Sequence, residues 1–254
     1  MCIRDRTINE TIPVKIRAEF WLIFKNWAIG IKGPIPICII FLIISLLSSL
    51  YFLKTIEIKK IKNKYNKDSR EIVRKIIHIG IGPLIPIAQF LKINQNSALI
   101  FTGIVSLMVF INYTYKLFPT IEDVERKSYG TLFYCLSLFI LIYLFWDKDP
   151  YALISGFFIM TFGDGLAGLI GKSFDSKSWI FFKQKKSLLG TTTMFLTSLI
   201  VVCSIGYAQQ NNLNLNYFTV AFFATLLEQF SVLGIDNLIV PISSALFFNF
   251  FITS

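Results

Sequence analysis

An all-α, polytopic membrane fold of about seven to eight transmembrane helices, with no large soluble domain, is predicted by three observations. The 254-residue chain is 54% hydrophobic and only 16% charged, with a mean hydropathy of +0.63. That is too apolar for an ordinary soluble domain. Its apolar residues fall into runs of roughly 20, the length that crosses a bilayer as a helix. Its lysines and arginines gather in alternate connections between those runs, the pattern that sets membrane orientation.

The runs lie at about 35–53, 76–91, 97–118, 131–146, 151–171, 188–208, 215–230 and 238–252. The first is long enough to span a membrane rather than to be cleaved as a signal peptide. The second contains Gly80, Gly82, Pro83 and Pro86, and the eighth contains Pro241. Both should therefore be kinked or broken where they pack on neighbours or line a cavity. Residues 1–34 form an N-terminal arm ahead of one membrane domain, 35–254. The arm's Ala18–Ile31 run fits an interfacial helix or an additional span.

Nine basic residues lie between 54 and 75, three between 116 and 130, and five between 172 and 187. The connections at 92–96 and 147–150 hold one lysine each, and 209–216 holds none. The three basic loops should thus share the cytoplasmic or equivalent face. The six basic residues of the N-terminal arm oppose this assignment if there are eight spans. The net charge of +10 orients the protein rather than binding nucleic acid, because no interleaved basic–aromatic module is present. Cys2, Cys38, Cys135 and Cys203 are scattered without metal-ligand spacing.

Chemistry is sought where polar residues meet these runs. In "REIVRKIIHIG", Glu71, Arg74, Lys75 and His78 fall at helical spacings of three and four on one face. They read either as a phosphate-facing patch or as a positive-inside flank. "IEDVERKSYGT" packs Glu122, Asp123, Glu125, Arg126 and Lys127 together, either as a self-paired solvated surface or as carboxylates for Mg²⁺, which binds through one or two carboxylates plus substrate phosphates. "MTFGDGLAGLIGK" matches the dinucleotide spacing Gly163-x-Gly165-x-x-Gly168. It lacks the βαβ context that the motif needs. Gly163, Ala167 and Gly171 instead make a small-residue stripe for close helix packing. That leaves Asp164 unexplained, since a carboxylate costs roughly 2.5–3.5 kcal/mol at the centre of a membrane helix. It lies about 12 Å along a helix from Lys172, which lessens the cost without removing it, and a functional role is favoured.

"KQKKSLLGTTT" gathers lysines, Gly190 and the hydroxyls of Ser187 and Thr191–Thr193, as a polyphosphate site requires. The same residues fit a span-orienting loop with threonines bonded back into a helix. "LLEQFSVLGIDNLIVP" sets Glu228, Asp236 and Asn237 between two apolar runs, and with eight spans it faces the same side as the basic loops.

These segments, in this order, resemble the CTP-dependent lipid kinase family, which includes phytol kinase, dolichol kinase and a diacylglycerol kinase, and come closest to its phytol kinase branch. The family pattern is D-x-x-A-x-x-x-G followed by K-K-T-x-E-G. Here Asp164, Ala167 and Gly171 match the first half, and Lys185, Lys186, Ser187 and Gly190 follow, with serine replacing threonine and Leu189 replacing glutamate. The "RKIIH", "ERKSYGT" and "IDN" segments also match the phytol kinase branch, so the resemblance covers roughly residues 70–245. It implies transfer of the γ-phosphate of CTP to the hydroxyl of an isoprenoid alcohol, giving a prenyl phosphate and CDP. Lys185, Lys186, Ser187, Gly190, Ala167 and Gly171 would form the nucleotide site, with Arg74, Lys75, Arg126 and Lys127 balancing phosphate charge. Asp164 and Asp236 would act in catalysis or hold Mg²⁺, Glu228 would join them on the metal, and His78 would serve as acid/base or positioning group. Two other classes share part of this pattern. A cytidylyltransferase acting on a lipid phosphate would also use CTP and Mg²⁺, but would release pyrophosphate. An anion carrier should show internal repeats, and none is evident.

Overall fold

The structure, a computed structural model, describes residues 75–76, 78–115, 129–181, 184–210, 214–230 and 233–253. The N-terminal arm and the first predicted span lie outside the described residues, as do Arg74, Arg126 and Lys127. Within the described residues, each predicted apolar run from 76 onward is mainly helical. Among the described residues, four helices are long and apolar enough to cross a membrane: Gln95–Tyr115, Pro150–Ser173, Leu188–Gln210 and Asp236–Thr253. His78–Phe90 and Gly130–Phe145 are shorter apolar helices.

In chain order the elements are α1 (Leu84–Phe90), α2 (Gln95–Tyr115), α3 (Gly130–Phe145), α4 (Pro150–Phe158), a π-helical turn π1 (Ile159–Asp164), α5 (Gly165–Ser173), strands β1 (Ser178–Phe181) and β2 (Gln184–Ser187), α6 (Leu188–Gln210), α7 (Asn216–Gln229), α8 (Asp236–Phe248) and a second π-turn π2 (Asn249–Thr253). The break expected in the second run is present, because Gly82 and Pro83 form a turn between the helical residues around His78 and α1. The eighth run differs. α8 continues through Pro241 without interruption, and the backbone carbonyl of Pro241 lies so close to Gly156 of α4 that a Cβ there would approach to 2.4 Å.

The continuous rod α4–π1–α5 is the centre of the bundle. Residues 152–165 are buried without exception, as suits a helix apolar on every side. α8 packs on α3, α4 and α7, and α6 packs on α4, π1, α5 and α7. α2 packs mainly on α3 and leaves Ile100, Phe101, Leu107 and Met108 exposed. Such a face suits lipid, which is itself apolar.

One departure from all-α is the connection 172–187. β1 and β2 pair antiparallel in the register Ser178↔Ser187, Trp179↔Lys186, Ile180↔Lys185 and Phe181↔Gln184. The Trp-Ile-Phe run favours a strand, and the ring of Phe181 meets Phe230 edge-on at 5.4 Å.

The bundle end away from the hairpin is closed by Asp149. Its Oδ1 caps α4 by accepting from the Ala152 N–H, and its Oδ2 accepts from Asn249 Nδ2 and Thr253 Oγ1, each at 2.8 Å. Asp149→Ala removes a helix cap and strands two donors. We expect a loss of about 2–4 kcal/mol, read as a lowered melting temperature in detergent, with catalytic rate per folded molecule unchanged because the cluster sits at the other end of the bundle from Asp164.

Candidate active site

Asp164 ends π1, where the helix widens. An extra residue in a helical turn shifts the register of every side chain after it, and such turns recur at functional sites. The Asp164 carboxylate is buried and accepts a charge-assisted hydrogen bond from Lys75 Nζ at 2.5 Å. Lys75 Nζ also reaches the Asp164 carbonyl at 3.4 Å. The lysine stem crosses Gly168, where a Cβ would come within 2.9 Å of Lys75 Cε. His78, one helical turn after Lys75, places Nε2 3.7 Å from Asp164 Oδ2 and 3.2 Å from the Met160 carbonyl. Aspartate, lysine and histidine therefore converge from segments far apart in the chain.

A second ion pair stands beside the first. Lys186 on β2 donates to the Glu228 carbonyl at 2.9 Å and forms a short contact with Glu228 Oε1. Gln229 braces this carboxylate, donating from Nε2 to Glu228 Oε2 at 2.8 Å and to Thr191 Oγ1 at 3.1 Å. Asp236, the first residue of α8, interacts electrostatically with Asp164, Lys75 and Lys186. Its Oδ1 is buried, with no hydrogen-bond partner among the described residues, and the same holds for Asn237 Oδ1. The loop before α8 is tied to α3: Leu233 accepts from the Tyr129 N–H at 3.1 Å, and Asn237 Nδ2 donates to the Gly130 carbonyl at 3.0 Å. This loop uses left-handed backbone at Leu233 (φ 55°) and Gly234 (φ 88°).

The structure thus gathers Asp164, Lys75, His78, Lys186, Glu228 and Asp236 at one end of the bundle. Lys185 is not among them. Adjacent strand residues point to opposite faces, so Lys186 turns to α7 while Lys185 is exposed. Ser187, Gly190, Ala167 and Gly171 occupy the junction of α5 and α6. Ser187 Oγ accepts from the Gly190 N–H at 3.1 Å and donates to the Gly171 carbonyl at 3.3 Å, serving as an N-cap for α6. A Cβ on Gly171 would meet Ser187 Oγ at 2.6 Å and the Gly190 backbone at 3.2 Å. Gly171→Ala should therefore push the helices apart and cost about 1–3 kcal/mol, measured by thermal melting. Thr192 and Thr193 bond back to carbonyls of their own helix.

Tyr134, Thr161 and Gln229 were missed by sequence reasoning. Each lies in an apolar run where one hydroxyl or amide carries no periodic signal. Among the described residues, no three His, Cys, Asp or Glu side chains stand close enough to hold a metal unaided. The donors are nevertheless carboxylates, hard ligands of the kind Mg²⁺ takes, and Asp236 Oδ1 has unused acceptor capacity. The set fits a Mg²⁺ ion that draws its remaining ligands from water and phosphate.

Over 221 residues the chain is 34% identical to the phytol kinase of Synechocystis sp., a match covering 85% of this chain and 95% of that protein. It is 27% identical over 203 residues to probable phytol kinase 1, chloroplastic, of Oryza sativa subsp. japonica, covering 70% of this chain and 63% of the rice protein. It is 24% identical over 199 residues to the chloroplastic farnesol kinase of Arabidopsis thaliana, covering 70% and 64%. No protein-family model matches the chain, and no solved structure does. With a third of the aligned residues identical across almost the whole length of the Synechocystis protein, the chain belongs to the phytol kinase family.

Proposed function

We propose that the protein is a multi-pass membrane kinase that transfers the γ-phosphate of CTP to the hydroxyl of an isoprenoid alcohol, phytol or a related prenol. The observation that carries this reading is the pair of partly buried lysine–carboxylate contacts, Lys75–Asp164 and Lys186–Glu228, set side by side at one end of an apolar bundle. Phosphoryl transfer needs charge neutralisation and in-line positioning more than covalent chemistry. The three carboxylates and two lysines provide it in a setting from which water is largely excluded.

In this mechanism Lys75 and Lys186 exchange their carboxylate partners for phosphate oxygens of the nucleotide. The alcohol oxygen forms a bond to the γ-phosphorus as the bond from that phosphorus to the β–γ bridging oxygen breaks, so CDP leaves. Asp164, released from Lys75, takes the hydroxyl proton, with His78 at its side. Asp236 and Glu228, joined by Asp164 where it does not take the proton, would hold Mg²⁺, which would supply charge neutralisation for the phosphates. Arg74, Arg126 and Lys127 remain assigned to the phosphates by resemblance. The prenyl tail lies between spans, where apolar walls suffice to hold it. The fold is expected to comprise seven to eight spans, with this site on the side of the basic loops.

Incubating purified protein in lipid nanodiscs with γ-labelled and α-labelled CTP or ATP and a panel of prenols tests the proposal. Labelled prenyl phosphate with CDP is the expected outcome. Release of pyrophosphate would instead indicate a cytidylyltransferase, and product formed only from ATP would overturn the donor assignment.

A further inference from the structure

Tyr134 of α3 is 5% exposed and contacts both the backbone and the ring of His78. Its hydroxyl donates to the His78 carbonyl at 3.3 Å and lies 3.4 Å from Thr161 Oγ1. Its ring packs on the imidazole with centroids 4.3 Å apart and is backed by Phe157 at 5.7 Å. Thr161 and Met160 both belong to π1, the turn that ends in Asp164. The opposite wall of this contact is equally tight, since a Cβ on Gly82 would meet Thr161 Cγ2 at 2.7 Å.

The His78 ring is therefore held at defined points. Nε2 faces the Met160 carbonyl at 3.2 Å, and a carbonyl can only accept. The favourable tautomer carries its proton on Nε2, because the bond made by one ring nitrogen sets the state of the other. Tyr134 grips both His78 and π1, through the His78 carbonyl and Thr161 Oγ1. A buried tyrosine needs a partner for its hydroxyl. Choosing the His78 carbonyl and Thr161 makes that need serve the geometry of the site.

We propose that Tyr134 is a positioning residue that fixes the orientation and Nε2–H tautomer of His78 against the π-turn bearing Asp164. The effect on rate rests on the kinase reading above, whereas the effect on the imidazole does not. His78 is the one histidine in the chain, so full-length protein purified through a tag without histidine and labelled with ¹⁵N-histidine gives a single pair of ring nitrogen signals.

Wild-type protein in nanodiscs should show the Nε2–H tautomer. Tyr134→Phe keeps the ring and loses the hydroxyl, and should shift both signals toward mixed tautomers. In the same variant kcat for prenol phosphorylation should fall about 3- to 10-fold while KM for the nucleotide stays unchanged. Tyr134→Leu should shift the signals further. Its melting temperature is compared with that of Tyr134→Phe, so that a folding defect is read as such. Imidazole signals in Tyr134→Phe identical to wild type, or a wild-type spectrum showing Nδ1–H, would overturn the inference. If the signals shift but no prenol is phosphorylated by any form, the positioning stands and the kinase reading falls.

Discussion

Asp164→Asn should slow prenyl phosphate formation by about 10²–10⁴-fold, the range lost with an acid–base group. The same change removes the partner of Lys75 at 2.5 Å. Leaving a buried ammonium without its counter-charge costs about 3–5 kcal/mol, so lost activity alone would be ambiguous. Combining Asp164→Asn with Lys75→Met separates the two effects. The double variant should regain most of the melting temperature lost by the single one and should remain inactive. Initial rates with CTP and prenol, run beside thermal melts, supply both readings. An Asp164→Asn protein that phosphorylates prenol at the wild-type rate would remove the aspartate from the mechanism.

The second large effect separates two neighbouring lysines. Lys186→Ala should reduce kcat/KM for the nucleotide by about 10- to 100-fold, the worth of one hydrogen bond to a charged group. Lys185→Ala should change it less than about 3-fold, because Lys185 lies on the exposed face of β2. Equal losses on removing either lysine would mean that the hairpin turns both toward the nucleotide, contrary to the register Ile180↔Lys185 and Trp179↔Lys186.

Much of this architecture was legible in the order of residues. Seven apolar runs from 76 onward predicted helices, and helices are what the structure has. The turn at Gly82 and Pro83 was also foreseeable, since one residue lacks a side chain and the other lacks an N–H. The hairpin was not. Its strands are four residues each, too short for periodicity to separate them from loop. Pro241 suggests a kink or a break, and of the two there is no break: α8 continues through it, packed against Gly156 by neighbours that local pattern cannot reveal.

The candidate site divides in the same way. Asp164 announced itself because a carboxylate within an apolar run carries a solvation cost that demands a reason. Ala167 and Gly171 were legible as part of a close-packing stripe, and in the fold they bring α5 against α6 at Gly190. Tyr134 went unnoticed, because a tyrosine in a membrane helix is ordinary until its hydroxyl is seen against a catalytic candidate.

The sequence by itself determined that the chain is mostly helical with segments apolar enough to cross a membrane, where the described helices run, and that a carboxylate lies within one of them. Those properties are local: within a bilayer each segment must satisfy its own backbone hydrogen bonds, so about 20 consecutive residues suffice to specify a span. Only the tertiary structure decided which charges meet. Lys75 and Asp164 are 89 residues apart, and Lys186 and Glu228 are 42 apart. Their pairing depends on how the helices pack and on the extra residue in the turn before Asp164, which sets the direction of one carboxylate within the bundle.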